Sequence, residues 1–170
     1  MLRKKMFMLG AFAVGKTSLV SRYVHGLFSE RYLTTVGVKV DKKVVVVDGQ
    51  EMTLLVWDLH GEDEFQRVKP SYLRGSSGCF VVADGTRPET VRSVPAMLEW
   101  LRGIVGEIPC LLLLNKHDLH EEWAIDADER RLLEGTGLTA FPTSAKTGEG
   151  VQEAFEELAR RMLASGGTGR

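Results

Sequence analysis

The chain has only two cysteines in 170 residues, Cys79 and Cys110, and they form no C-x-x-C pair. A multi-bridge disulfide framework is thereby excluded. Both lie in apolar, strand-like runs, so they read as reduced, buried thiols of a cytoplasmic protein. Neither sign of charge dominates: 22 basic against 23 acidic residues leave a net charge of −1. That balance argues against a polyanion-binding surface, and nucleic acid is not an expected partner. No signal peptide is present, and no apolar segment approaches the roughly 18 residues of a membrane-spanning helix. Lipidation signals are missing too: Met1-Leu2-Arg3 is not a myristoylation start, and the stretch from Ser165 to Arg170 holds no cysteine to prenylate. No lipid anchor is therefore expected. The Arg3-Lys4-Lys5 cluster reads as a solvated strand entrance rather than a lipid contact.

What is there fits one compact domain, with 44% hydrophobic and 26% charged residues. Apolar strand-like runs alternate with helical patterns. Strands are expected at Lys4–Leu9, Val38–Val47, Glu51–Trp57, Ser77–Ala83 and Cys110–Leu114. Asp48-Gly49 marks a hairpin between the second and third, which should pair antiparallel, because both turn positions favour positive φ. Helices are expected from Lys16 onward, with Leu19, Val20, Tyr23, Val24 and Leu27 at helical spacing, and near Glu64–Arg74, Glu89–Val105, Ala127–Glu134 and Val151–Ala164. Within the helical stretch Glu89–Val105, either Ser93 caps a helix starting at Val94 or Pro95 kinks a longer one. The expected fold is a three-layer α/β/α domain over residues 1–164. It has a mostly parallel six-stranded sheet with one antiparallel edge strand, helices on both faces, and a Gly-rich flexible tail over 165–170.

Directly after the first apolar run stands Gly10-Ala11-Phe12-Ala13-Val14-Gly15-Lys16-Thr17, which fits G-x-x-x-x-G-K-[ST]. Glycine lets the backbone turn its N–H groups into one concavity, and the following helix adds its positive dipole end. An anion is the expected occupant, with Ala13, Val14, Gly15, Lys16, Thr17 and Ser18 around its phosphates. Lys16 would bridge the β and γ phosphates, and the Thr17 hydroxyl would bind Mg²⁺.

The base is read elsewhere. Asn115-Lys116-His117-Asp118 follows the apolar run Cys110–Leu114, at the carboxyl end of a buried strand where open α/β sheets bind ligands. A carboxylate at Asp118 can accept both guanine N1–H and N2–H₂, a pair that adenine lacks. In front of the wrong base it would go unpaired, at about 1 to 3 kcal/mol. Asn115 would meet the purine's other edge and tie loops together. Ser144-Ala145-Lys146 complements it, with the Ala145 N–H placed to donate to guanine O6. Lys116, Ser144 and Lys146 belong to the same base-side group.

Taken together, the chain resembles the Ras superfamily of small GTPases, most closely its Ras/Rab-like branch. The resemblance covers nearly the whole length and rests on five ordered blocks: Gly10–Thr17, Thr35, Asp58-Leu59-His60-Gly61, Asn115–Asp118 and Ser144–Lys146. It implies a Mg²⁺-dependent switch that binds GTP or GDP and hydrolyses GTP to GDP and phosphate. By resemblance Thr35 closes over Mg²⁺ and the γ-phosphate, Asp58 holds Mg²⁺ through a water, and the Gly61 N–H senses the γ-phosphate. Phe28 lies across the guanine ring, and Tyr32 lids the phosphates. Lys16, Thr35, Gly61 and Glu62 form the candidate catalytic group. Effector or regulator proteins would read switch I, about Leu27–Gly37, and switch II, about Leu59–Leu73. The missing lipid signals differ from most Ras and Rab relatives, and fit either a bacterial-type soluble member or a domain cut from a longer protein.

Two departures from the family pattern bear on catalysis. Glu62 follows Gly61 where Ras-like enzymes usually carry the glutamine that orients the attacking water. Glutamine both donates and accepts, whereas an ionised carboxylate only accepts and adds like charge beside the transferring phosphoryl. A glutamate that takes up a proton could instead position the water itself, and one facing outward would be a further acid in Glu62-Asp63-Glu64. Phe12 stands where the family has a small residue. Its ring projects toward the space above the γ-phosphate, or folds outward against Phe65. Together these two residues point to slow hydrolysis; the rival reading is a non-hydrolysing scaffold that keeps nucleotide as a structural ligand. A kinase or ATPase is disfavoured by Asn115–Asp118. His117 and His120 read as an exposed loop rather than a zinc site, His60 has no assigned role, and Trp57 reads as a strand-end core aromatic.

Overall fold

The computed structural model describes residues 2–29, 38–59 and 68–166. Tyr32, Thr35, His60, Gly61, Glu62 and Phe65 lie outside the described residues, as do Met1 and the last four positions.

Six strands form one sheet: β1 Leu2–Gly10, β2 Val38–Val47, β3 Gln50–Leu59, β4 Gly78–Asp84, β5 Cys110–Asn115 and β6 Ala140–Pro142. Their order is β2-β3-β1-β4-β5-β6, with β2 antiparallel at the edge and the other five parallel. The hairpin turns at Asp48 (φ 49°) and Gly49 (φ 78°), the paired positive φ of a two-residue turn.

Helices cover both faces: α1 Lys16–His25, α2 Pro70–Leu73, α3 Pro88–Arg92, α4 Val94–Val105, α5 Ala127–Glu134 and α6 Val151–Ser165. Strand alternation divides the core. Met6 and Met8 of β1 join one buried cluster with Leu19, Tyr23, Phe80 and Phe155. Phe7 and Leu9 join the other, with Leu98, Leu101 and Leu112. Tyr23 of α1 stacks on Phe155 of α6 with ring centroids 3.8 Å apart, which locks those two helices to one face.

Several boundaries differ from expectation for local reasons. Leu27 is not part of α1: Gly26 takes φ 67° and its N–H bonds the Arg22 carbonyl, so the helix closes before Leu27, which is exposed. Of the helix expected near Glu64–Arg74, the described part is helical only at Pro70–Leu73. Proline at its start holds Lys69 in an extended conformation, ψ 122°. Around Pro95 the chain makes two helices jointed at Ser93, whose hydroxyl donates to the Thr90 carbonyl and caps nothing. Proline near the start of α4 lacks only an N–H that the first turn leaves unpaired. Helix α5 is fixed by a capping box between Asp126 and Glu129. Helix α6 takes in Ser165, one residue beyond the expected domain edge.

Trp57 is half-buried rather than a core aromatic. It packs against the second cluster with the Lys5 ammonium 3.8 Å above its ring. Lys5 also donates to the Arg74 carbonyl at 3.0 Å, so it is not a free surface charge.

Candidate functional site

The carboxyl ends of β1, β3, β4 and β5 deliver Gly10, Asp58, Asp84 and Asn115 to one rim of the sheet. Gly10 closes β1 where no side chain fits, since a Cβ there would stand 2.4 Å from the Val82 carbonyl oxygen. The loop from Gly10 then wraps toward α1 through Ala13 (φ 63°) and Gly15 (φ 102°), two left-handed residues that turn the backbone into a concave strap. Val14 between them is fully buried and anchors the strap to the core. Lys16, Thr17 and Ser18 form the first turn of α1, so the orphan N–H groups of its N-terminus face the same concavity.

Lys16 is 6% exposed and directs its protons into the loop, donating to the Gly10 carbonyl at 2.8 Å and the Ala11 carbonyl at 3.1 Å. Burial lowers its pKa to about 8; the Asp58 carboxylate opposes that shift and the Arg87 guanidinium adds to it. A cation so poorly solvated favours an anion beside it. Beyond it, the Thr17 hydroxyl donates to Asp58 Oδ2 at 2.7 Å, and Asp58 is 1% exposed. A hydroxyl and a buried carboxylate converging next to an anion cradle are hard oxygen donors, which suits Mg²⁺.

At the end of β5, Asn115 ties three loops: its Nδ2 donates to the Val14 carbonyl at 2.9 Å and its Oδ1 accepts from Thr143 Oγ1 at 3.1 Å. Asp118 Oδ1 accepts from Ser144 Oγ at 2.7 Å, and Ser144 Oγ in turn accepts from the Thr147 N–H. The carboxylate is thus oriented through one of its two oxygens. Lys116 adopts φ 68° and its ammonium lies 2.8 Å from Asp84 Oδ2. Ala145 is buried, and both its carbonyl and that of Lys146 accept from the Arg22 guanidinium of α1, the first at 2.7 Å. Phe28 is half-buried against the core cluster that contains Ala145. His117 sits on the rim of this region, with Nδ1 2.9 Å from Glu149 Oε1 and its ring edge-on to Trp123.

Four residues escaped the sequence reading. Asp84, at the end of β4, is fully buried and receives Lys116, the Arg87 Nε–H at 3.0 Å and two donors from Thr86. These partners outweigh the desolvation that alone would raise its pKa, and hold it below the usual carboxylate value. Arg87 continues to the Phe12 carbonyl, Arg22 clamps the Ser144–Lys146 loop, and Thr143 holds Asn115. Only Asp84 left a signal, as the one acid closing the apolar run from Gly78 to Ala83.

Comparison with known proteins shows the family. The Ras family profile matches residues 5–164. The Ras-related protein Rab-21 of Homo sapiens is 34% identical over 161 residues, covering 94% of this chain and 72% of that protein. The Ras-related protein Rab-7b of Mus musculus is 33% identical over 166 residues, covering 94% and 82%. The chain belongs to the Ras family. As a Ras-family protein it is a GTP-binding switch and a GTP phosphohydrolase, binding guanine nucleotide together with regulators and effectors. Among the described residues no helix is long and apolar enough to cross a membrane.

Proposed function

We propose that this Ras-family GTPase is a Mg²⁺-dependent, slowly hydrolysing cytoplasmic switch in which the two ends of GTP meet Lys16 and Asp118. The observation that carries the nucleotide assignment is the Lys16 ammonium: buried, with its pKa lowered to about 8, and turned into the strap that a triphosphate would fill. Phosphate oxygens replace the loop carbonyls as its partners and favour its charged form. The strap from Ala13 to Ser18 lines the phosphates with backbone N–H groups. Asp118, steadied by Ser144, takes the guanine N1–H and N2–H₂, with Asn115, Lys116, Ala145, Lys146 and Phe28 around the base.

Mg²⁺ would be held by Thr17, Thr35 and, through water, Asp58, and when bound it neutralises charge on the β- and γ-phosphates. Thr17 and Asp58 supply the oxygen donors for it. Tyr32, Thr35 and Gly61 report the γ-phosphate through the two switches, about Leu27–Gly37 and Leu59–Leu73, which partner proteins read.

Slow turnover follows from side-chain chemistry at two positions. A carboxylate at Glu62 cannot donate to the transferring phosphoryl, and the bulk of Phe12 stands where a partner's arginine would enter. Phe12 is 39% exposed, in keeping with a ring on the open side of the strap. Single-turnover GTP hydrolysis by wild type, Phe12→Gly and Glu62→Gln tests this. Glu62→Gln is expected to hydrolyse about tenfold faster, and Phe12→Gly to gain most when an activating protein is added. Three equal rates would remove the proposal, and bound GTP that never decays would make the protein a non-hydrolysing scaffold. Chelating Mg²⁺ should speed GDP release in all three proteins.

A further inference from the structure

The two cysteines, thirty-one positions apart in sequence, are brought together by the sheet: β4 and β5 run parallel in a register that sets Cys79 opposite Cys110. Neighbouring strands lie about 4.8 Å apart, inside the Cα separation of roughly 4.4–6.8 Å that a disulfide spans. The two Sγ atoms are already 2.8 Å apart. A bond of about 2.05 Å therefore needs the sulfurs to close by under about 1 Å.

The two thiols differ in access. Cys79 is fully buried, and burial together with its neighbour pushes its thiol pKa well up. Cys110 is half-buried and lines a cavity of about 140 Å³ between α4, the turn after it and Leu138. A molecule little larger than water, whose share of liquid volume is about 30 Å³, fits such a space. Arg102 and Glu107 stand at its edge, 3.5 Å from each other. The pair lies at the amino ends of its strands, about 17 Å along β5 from Asn115, so its chemistry is separate from the nucleotide site.

We propose that Cys79 and Cys110 form a peroxide-reactive dithiol site whose product is an intrachain disulfide joining β4 to β5. The substrate class is a small hydroperoxide. The Cys110 sulfur, as thiolate, attacks the terminal oxygen; an S–O bond forms, the O–O bond breaks, and the proton given up by the thiol ends on the departing alcohol. Cys79 then attacks the Cys110 sulfenic acid. The S–S bond forms, the S–O bond breaks, and the hydroxide leaves as water with the Cys79 proton. Two thiols lose two electrons, and one peroxide becomes one alcohol and one water; with hydrogen peroxide both products are water. Cys110 attacks because it faces the cavity, and Cys79 resolves because it is buried against Cys110.

The test is treatment of the folded, reduced protein with hydrogen peroxide, followed by thiol counting in denaturant and intact mass measurement. Both thiols should disappear together, the mass should fall by two hydrogens with the chain still monomeric on a non-reducing gel, and dithiothreitol should restore the original mass. In Cys79→Ser a sulfenic acid should accumulate at Cys110 and be trapped by dimedone. In Cys110→Ser the remaining thiol should react at least about tenfold more slowly than Cys110 does. Retention of both thiols by wild type, a sulfenic acid on Cys79, or an end product that is an interchain dimer or a sulfinic acid would each overturn the proposal. The wild-type measurement needs no substitution, so it stands even if a variant fails to fold.

Discussion

Arg87 reaches from the turn after β4 to the phosphate loop, where its Nη2–H donates to the Phe12 carbonyl at 2.8 Å. Its Nε–H donates to Asp84, the buried carboxylate that also takes Lys116. One acid therefore joins the Gly10–Thr17 strap to the Asn115–Asp118 turn, the two ends of the proposed nucleotide site. Arg87→Ala should free the strap at Phe12 and leave Asp84 with one cation fewer. Arg87 is partly exposed, so each charge-assisted bond counts for only about 0.5–1 kcal/mol after solvent screening. Release of fluorescent GDP should quicken about five- to tenfold. Arg87→Lys, with charge but no fork, should fall between the two. An unchanged release rate would show that the link is incidental.

Burying the Lys16 ammonium without an anion beside it is costly to folding. Its pKa falls from 10.5 in the unfolded chain to about 8 in the native protein. Between those values the unfolded chain binds the extra proton, so unfolding free energy climbs as pH rises from about 8 toward 10.5. Below about pH 8 both states are charged and the whole penalty, on the order of 3 kcal/mol, is present. Lys16→Met should then stabilise nucleotide-free protein at pH 7 by about 1–3 kcal/mol while abolishing GTP binding. The gap between variant and wild type should narrow with rising pH. Urea melts at about pH 7 and about pH 10 decide it, and a constant gap would contradict the assigned pKa.

The strap from Gly10 to Thr17 and the turn from Asn115 to Asp118 were legible as candidates because each is a short run whose residue types are dictated by local backbone or by the ligand proposed for it. The sheet was legible because strands buried on both faces, such as Gly78–Asp84, read as unbroken apolar runs. Arg87 and Arg22 were not legible, since they work across 75 and 123 positions and look like ordinary surface arginines. Leu27 misled because helical spacing continues past Gly26, although that glycine's left-handed turn stops the helix. Cys79 and Cys110 look unrelated until strand register sets them side by side.

Ser144 belongs to the base-side loop, and its hydroxyl has a narrow role there: it holds one oxygen of Asp118 at 2.7 Å. Removing it frees the carboxylate to rotate and unties the Thr147 N–H. Ser144→Ala should weaken GDP binding by about 1 kcal/mol, roughly fivefold, with the preference for guanine over adenine retained. Asp118→Ala should erase that preference. Competition of GDP and ADP for the two variants separates orientation from recognition, and equal losses would merge the two roles.

Gly15 is where backbone and side-chain constraints coincide. Its φ of 102° is one that L-residues rarely adopt, and an added Cβ would stand 2.2 Å from Asn115 Nδ2. Gly15→Ala must push that amide off the Val14 carbonyl it holds at 2.9 Å, which unties the base-side loop from the phosphate strap. GDP affinity should fall by at least about 100-fold, about 3 kcal/mol, through a change that adds no group to either phosphate or base. Gly26→Ala is the control. That glycine also has positive φ, at 67°, but nothing stands within 4 Å of its added Cβ. It should lose about 1 kcal/mol of stability and no affinity. Equal binding losses at both positions would mean that backbone strain alone, rather than displacement of Asn115, controls the site.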